Sequence, residues 1–90
     1  MTKKIHIIVS GRVQGVCFRA ATQKQAEKLS ITGLVRNLPD GCVEIFAEGA
    51  TDALTQFERW CHKGPLLAKV DKIEAEKIEN QDSYSDFTIR

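Results

Sequence analysis

The run Gly11-Arg12-Val13-Gln14-Gly15-Val16-Cys17-Phe18-Arg19 has the residue types needed to hold an anion. Glycines at 11 and 15 let the backbone curl so that successive N–H groups converge on one concave spot. The run lies where an extended segment hands over to a helical one, and a helix start leaves N–H groups unpaired at the positive end of the dipole. A spot of that kind binds phosphate. Arg19, in the first helical turn, can add a charge-assisted and bidentate contact to phosphate oxygens. The spacing matches neither a Walker loop nor a dinucleotide fingerprint. By itself it is equally the pattern of a glycine-containing connection followed by a surface arginine.

The other chemistry-bearing residues are more scattered. Asn37 stands just before a turn, where an asparagine ordinarily bonds local backbone. Cys17 lies inside the loop near a helix start, a place where thiols are modifiable. The three cysteines, Cys17, Cys42 and Cys61, are odd in number and far apart, which argues against a disulfide framework and against a C-x-x-C metal or redox site. His6 and His62 have no second ligand at a metal-binding spacing and read as structural, so no metal is expected. Glu74, Glu76 and Glu79 read as an outward strand face, not an acid–base pair. Arg12 and Arg36 read as solvated, and Phe57 and Trp60 as core.

The elements that must position these groups are legible from periodicity. Ile5, Ile7 and Val9 alternate with His6, Ile8 and Ser10 as a strand with one buried face, interrupted at Gly11. Phe18, Ala21, Thr22, Ala26 and Leu29 recur at helical spacing, and the helix gives way near Ser30. Gly33 to Leu38 reads as a second strand, Pro39-Asp40-Gly41 as a turn, and Val43, Ile45 and Ala47 as the inner face of a third strand. Thr51 or Asp52 is the expected cap of a second helix with Leu54, Phe57, Trp60 and Cys61 as its stripe, ended by Gly64 and Pro65. Val70 to Ile78 is a fourth strand. After the polar stretch Asn80 to Ser83, Phe87 and Ile89 mark a short closing strand. Two split strand-helix-strand units in this order pack both helices on one face of an antiparallel sheet, an α+β ferredoxin-like βαββαβ sandwich.

Ninety residues support one core, so a single domain spanning 1–90 is expected. Hydrophobic residues are 42%, charged residues 28%, and the formal charge is +1. No global field recruits nucleic acid or membrane. The apolar run after Lys3 and Lys4 is too short for a signal-peptide core. The expectation is a cytoplasmic protein, with no exposed heptad or apolar patch that demands a partner, and so a monomer.

Two longer patterns resemble the acylphosphatase family. Its first signature, V-x-G-x-V-Q-G-V-x-F-R, is met without a gap by Val9, Gly11, Val13, Gln14, Gly15, Val16, Phe18 and Arg19. Its second, G-x-V-x-N-x-x-D-G-x-V, is met by Gly33, Val35, Asn37, Asp40, Gly41 and Val43. A weaker cluster at Gly64, Pro65, Ala68 and Val70 and the ending Phe87, Ile89, Arg90 extend the resemblance over nearly the whole chain. Ala20 and Leu34 depart from it, standing where many members carry an aromatic residue.

The resemblance implies hydrolysis of the carboxyl–phosphate bond of small acyl phosphates, without metal or cofactor, giving carboxylate and inorganic phosphate. Gln14, Gly15, Val16, Cys17, Phe18 and Arg19 are then the phosphate-binding residues, and Arg19 and Asn37 the catalytic ones. The departing carboxylate needs no strong acid, so positioning and charge stabilisation can carry most of the work. Asn37 would hold the attacking water, and because an amide is no base, the proton would pass to a phosphate oxygen of the substrate.

Rival readings fit less well. An RNA-recognition module shares the element order but stacks bases on aromatics of its central strands, and the third strand here offers only Phe46. A metal-carrying domain of this topology needs C-x-x-C in the first loop. A binder of acyl phosphates without turnover differs from an enzyme only in an assay.

Overall fold

The computed structural model describes residues 2–79 and 83–90. Asn80, Gln81 and Asp82 of the expected polar stretch lie outside the described residues. The elements follow as β1 (Thr2–Arg12), α1 (Phe18–Lys28), β2 (Thr32–Asn37), β3 (Val43–Ala50), α2 (Thr51–Lys63), β4 (Lys69–Ile78) and β5 (Phe87–Ile89). They build a five-stranded sheet in the order β4-β1-β3-β2-β5. The first four strands pair antiparallel, but β5 runs parallel to β2, with Gly33 opposite Phe87 and Val35 opposite Ile89. The four strands of the two split units pair antiparallel as expected, and the short C-terminal strand, whose direction the sequence left open, makes the whole sheet mixed. Alternation identifies a strand without naming its neighbour, and β5 crosses from the β4 side to the far edge.

Alternation sorts the side chains onto two faces. Ile7 and Val9 of β1, Val35 of β2, and Val43, Ile45 and Ala47 of β3 are buried with Phe18 and Ala26 of α1 and Leu54, Phe57 and Cys61 of α2. This core is the dominant stabilising term, since apolar area leaving water is worth about 25 cal/mol per Å². Burial, reinforced by the charge of Glu58, pushes the Cys61 thiol up and keeps it an inert hydrophobe. On the other face, His6 of β1 donates to Glu44 of β3 at 2.8 Å, and Arg36 of β2 reaches the same carboxylate at 2.5 Å. The His6 ring lies 4.6 Å from that of Phe46. Burial alone would raise the Glu44 carboxyl, but the bonds from His6 and Arg36 outweigh it and hold the group below its ordinary range.

The helix ends have distinct causes. At the end of α1, Ile31 N–H bonds Ala26 O at 2.8 Å and Ser30 N–H bonds Glu27 O at 3.2 Å, a Schellman arrangement with Ser30 in the left-handed region at φ 58°. The start of α2 differs from expectation: Ala50, extended at φ −63° and ψ 147°, occupies the cap position, and no side chain caps the helix. Strand β3 passes straight into α2, which leaves no loop residue to serve. Thr51 and Asp52 fall inside the first turn, where Asp52 Oδ1 accepts the Ala53 N–H at 3.0 Å and the Thr55 hydroxyl bonds Thr51 O at 3.0 Å.

Candidate active site

Strand β1 does not stop at Gly11. It continues to Arg12, and its register against β4 shifts between Ser10 and Gly11. Gly11 has φ 123°, and a Cβ there would come within 2.2 Å of Lys69 O, so only glycine lets the bent strand keep this close approach. The chain then folds back, Val13 N–H bonding Gly11 O at 3.1 Å, which seats Val13 in the core at 1% exposure. The loop begins from that anchor.

Gly15 and Cys17 both have positive φ, 75° and 62°. Two left-handed residues flanking Val16 curl the chain, and Cys17 then serves as the N-cap of α1, its carbonyl taking the Ala21 N–H at 3.0 Å. No side chain caps this helix start and no acidic residue stands in its first turn. The free donors and the positive dipole end are thus left to an anion. Arg19 is half-buried beside them, and its Nη1 donates to the Arg90 carbonyl at 3.3 Å, which draws the guanidinium to the edge of the sheet near β5.

Asn37 arrives from the opposite side. It is the last residue of β2, opposite Val43, ahead of a hairpin closed by Leu38 N–H to Cys42 O at 2.8 Å and Gly41 N–H to Leu38 O at 3.1 Å. Asp40 Oδ1 takes the Cys42 N–H at 3.0 Å, and that bond holds the Asp40 carboxyl below its ordinary range. Asn37 and Arg19 line one open concavity of about 360 Å³ together with Val13, Gly15, Cys17, Phe18, Ala20 and Ile89. Among the described residues, Asn37 Oδ1 is the buried side-chain polar atom that lacks a hydrogen-bond partner. An unpaired buried acceptor costs about 1–3 kcal/mol.

Of the residues expected to bind phosphate, Gly15, Cys17, Phe18 and Arg19 line the concavity. Val16 is half-buried and packs against the core. The Gln14 side chain turns away, its Nε2 donating to Leu38 O at 2.8 Å and Cys42 O at 2.9 Å. Their backbone N–H groups remain the part of each that can face an anion. Of the two departures from the family pattern, Ala20 forms part of the wall, whereas Leu34 is buried at 7% exposure on the other face of β2, opposite Phe46. Ile89, expected only as part of a short closing strand, is also a wall residue, which alternation does not reveal because it does not say which strand β5 will join. Among the described residues no group of three His, Cys, Asp or Glu side chains is placed to hold a metal ion.

A two-layer α+β domain whose first strand–helix junction presents unpaired donors and an arginine to a facing amide is, as a class, an anion-handling one. The acylphosphatase family model matches residues 5–89, and the chain belongs to that family. An acylphosphatase of Marinobacter nauticus is 49% identical over 82 residues, covering 91% of this chain and 89% of that protein. Among solved structures, an acylphosphatase from Coxiella burnetii matches with a TM-score of 0.94 at 44% identity, over 99% of this chain and 93% of that one. An acylphosphatase from Bacillus subtilis matches with a TM-score of 0.94 at 39% identity, over 100% and 99%.

Proposed function

We propose that this chain carries out the reaction its family is named for, hydrolysis of small acyl phosphates, with Arg19 and the 14–19 backbone holding the phosphoryl group and Asn37 holding the water. The observation that carries the reading is that Asn37 and Arg19, from opposite sides of the sheet–helix junction, line one concavity. The Asn37 amide holds a water by a hydrogen bond that leaves one water lone pair free for phosphorus. A bond forms between the water oxygen and phosphorus as the bond from phosphorus to the acyl oxygen breaks, and the carboxylate departs with the electron pair. One water proton passes to a phosphoryl oxygen, since the amide cannot take it.

The phosphoryl transition state spreads negative charge over its equatorial oxygens. The uncapped start of α1 and the Arg19 guanidinium are fixed donors for that charge, in place before the reaction begins. Ala20 and Ile89 offer the acyl group only an open apolar rim, which supports breadth toward acyl groups. The same reading takes the protein to act as a cytoplasmic monomer on a small diffusible substrate, with neither nucleic acid nor membrane as partner.

Hydrolysis of benzoyl phosphate in ¹⁸O-labelled water with a chelator present tests the reading. Label in inorganic phosphate at undiminished rate is expected. Label in benzoate would overturn attack at phosphorus, and loss of activity to the chelator would overturn a metal-free site.

A further inference from the structure

The Gln14 amide is placed at a junction. Its Nε2 spends one hydrogen on Leu38 O at 2.8 Å and the other on Cys42 O at 2.9 Å, the two carbonyls of the rung that closes the β2–β3 hairpin. Both carbonyls already have a backbone donor, Gly41 N–H for Leu38 O and Leu38 N–H for Cys42 O. Asp40 pins the turn from within by taking the Cys42 N–H. The hairpin is therefore closed without Gln14, and the loop is likewise set by its own backbone: Val13 is anchored in the core and the helix begins at Cys17. What the two Gln14 bonds add is the placement of one element against the other.

We propose that Gln14 is a positioning residue that sets the distance between the anion loop and Asn37. It adjoins Gly15 on the loop, and its acceptor Leu38 adjoins Asn37 on the strand; Gly15 and Asn37 both line the concavity. A bridge between the immediate neighbours of two site residues transmits little slack. The inference rests on the reading of Asn37 as the group that holds water, and it separates two properties of Gln14: its N–H belongs to the loop, and its side chain governs the geometry of a group it never touches. An in-line attack is sensitive to such placement, since an error of about 1 Å can cost about 10²-fold in rate.

Gln14→Glu keeps the shape, removes both donors and sets a carboxylate against two carbonyls. Gln14→Met removes the donors without adding charge and serves if the first variant does not fold. With benzoyl phosphate as substrate and inorganic phosphate as competitive inhibitor, kcat is expected to fall about tenfold or more while the inhibition constant for phosphate stays within about twofold. The deciding measurement is the same substitution in an Asn37→Ala background. If Gln14 acts by placing Asn37, it has nothing left to place, and its substitution costs less than about twofold there. Losses that multiply across the two sites would overturn the positioning role and leave the water-holding reading standing. A parallel loss of phosphate affinity would show that Gln14 shapes the loop itself, also against the proposal. Full activity in Asn37→Ala alone would overturn both.

Discussion

Arg19 and Asn37 differ in what their loss removes. Truncating Arg19 takes a charge from the place where phosphoryl oxygens would lie, in the substrate and in the transition state alike. Arg19→Ala is therefore expected to weaken phosphate inhibition and to lower turnover by roughly 10²–10³, the usual cost of a main oxyanion donor. On the proposed reading Asn37 meets only the water, so Asn37→Ala is expected to lower turnover with little change in phosphate inhibition. Steady-state kinetics with phosphate as competitor checks both, and equal loss of phosphate affinity in the two variants would contradict the division. Both residues stood out in the sequence because their types sit inside long patterns. Gln14 was legible as a member of the loop but not as a bridge, because its side-chain acceptors are backbone carbonyls, which leave no trace in residue identity. The pairing of Arg19 with the Arg90 carbonyl was hidden for the same reason.

Among the elements, those with a strong period were read correctly in kind and almost in extent. The errors fall at their ends. Gly11 reads as a stop because glycine weakens a strand, yet tertiary pairing carries β1 through it, with the missing Cβ making room for Lys69 O. Thr51 and Asp52 are good cap residues in the wrong place by one or two positions, since β3 runs directly into α2. The end of α1 offers a quantitative check. Ser30 holds φ 58° at the position where glycine is usual, and a side chain there strains the backbone. Ser30→Gly is expected to stabilise the protein by up to about 1 kcal/mol, read as a higher urea midpoint at constant slope, with kinetics unchanged.

Across the whole molecule, the sheet face away from the helices is held by a carboxylate that joins three strands. Glu44 is 12% exposed and receives His6 from β1 and Arg36 from β2. Its folded pKa lies below the ordinary value, so the stabilisation is present above about pH 4.3, the unfolded value, and is lost as pH falls through the folded one. Glu44→Gln is therefore expected to cost about 1–2 kcal/mol at neutral pH and to converge on the wild type as pH falls through the folded value, in urea unfolding at each pH. None of this was readable from a row of alternating charges, because it depends on which strands become neighbours.

Strand order also governs how the molecule comes into being. On one side Ile7 finds Ile45, and on the other Ala75. The strand translated first therefore has no neighbour until the third has been made and stays half-paired until the fourth, and closing loops of that length before any reward slows folding. Refolding in the range of milliseconds to seconds is expected from stopped-flow fluorescence of Trp60, slower than for helical bundles of equal size. Because the cradle at the end of β1 is completed only when Gly11 settles against Lys69, inorganic phosphate should grip the finished protein and not the chain on its way there. Added phosphate is then expected to slow unfolding and leave the refolding rate unchanged: a ligand that acts as a latch, not as a guide.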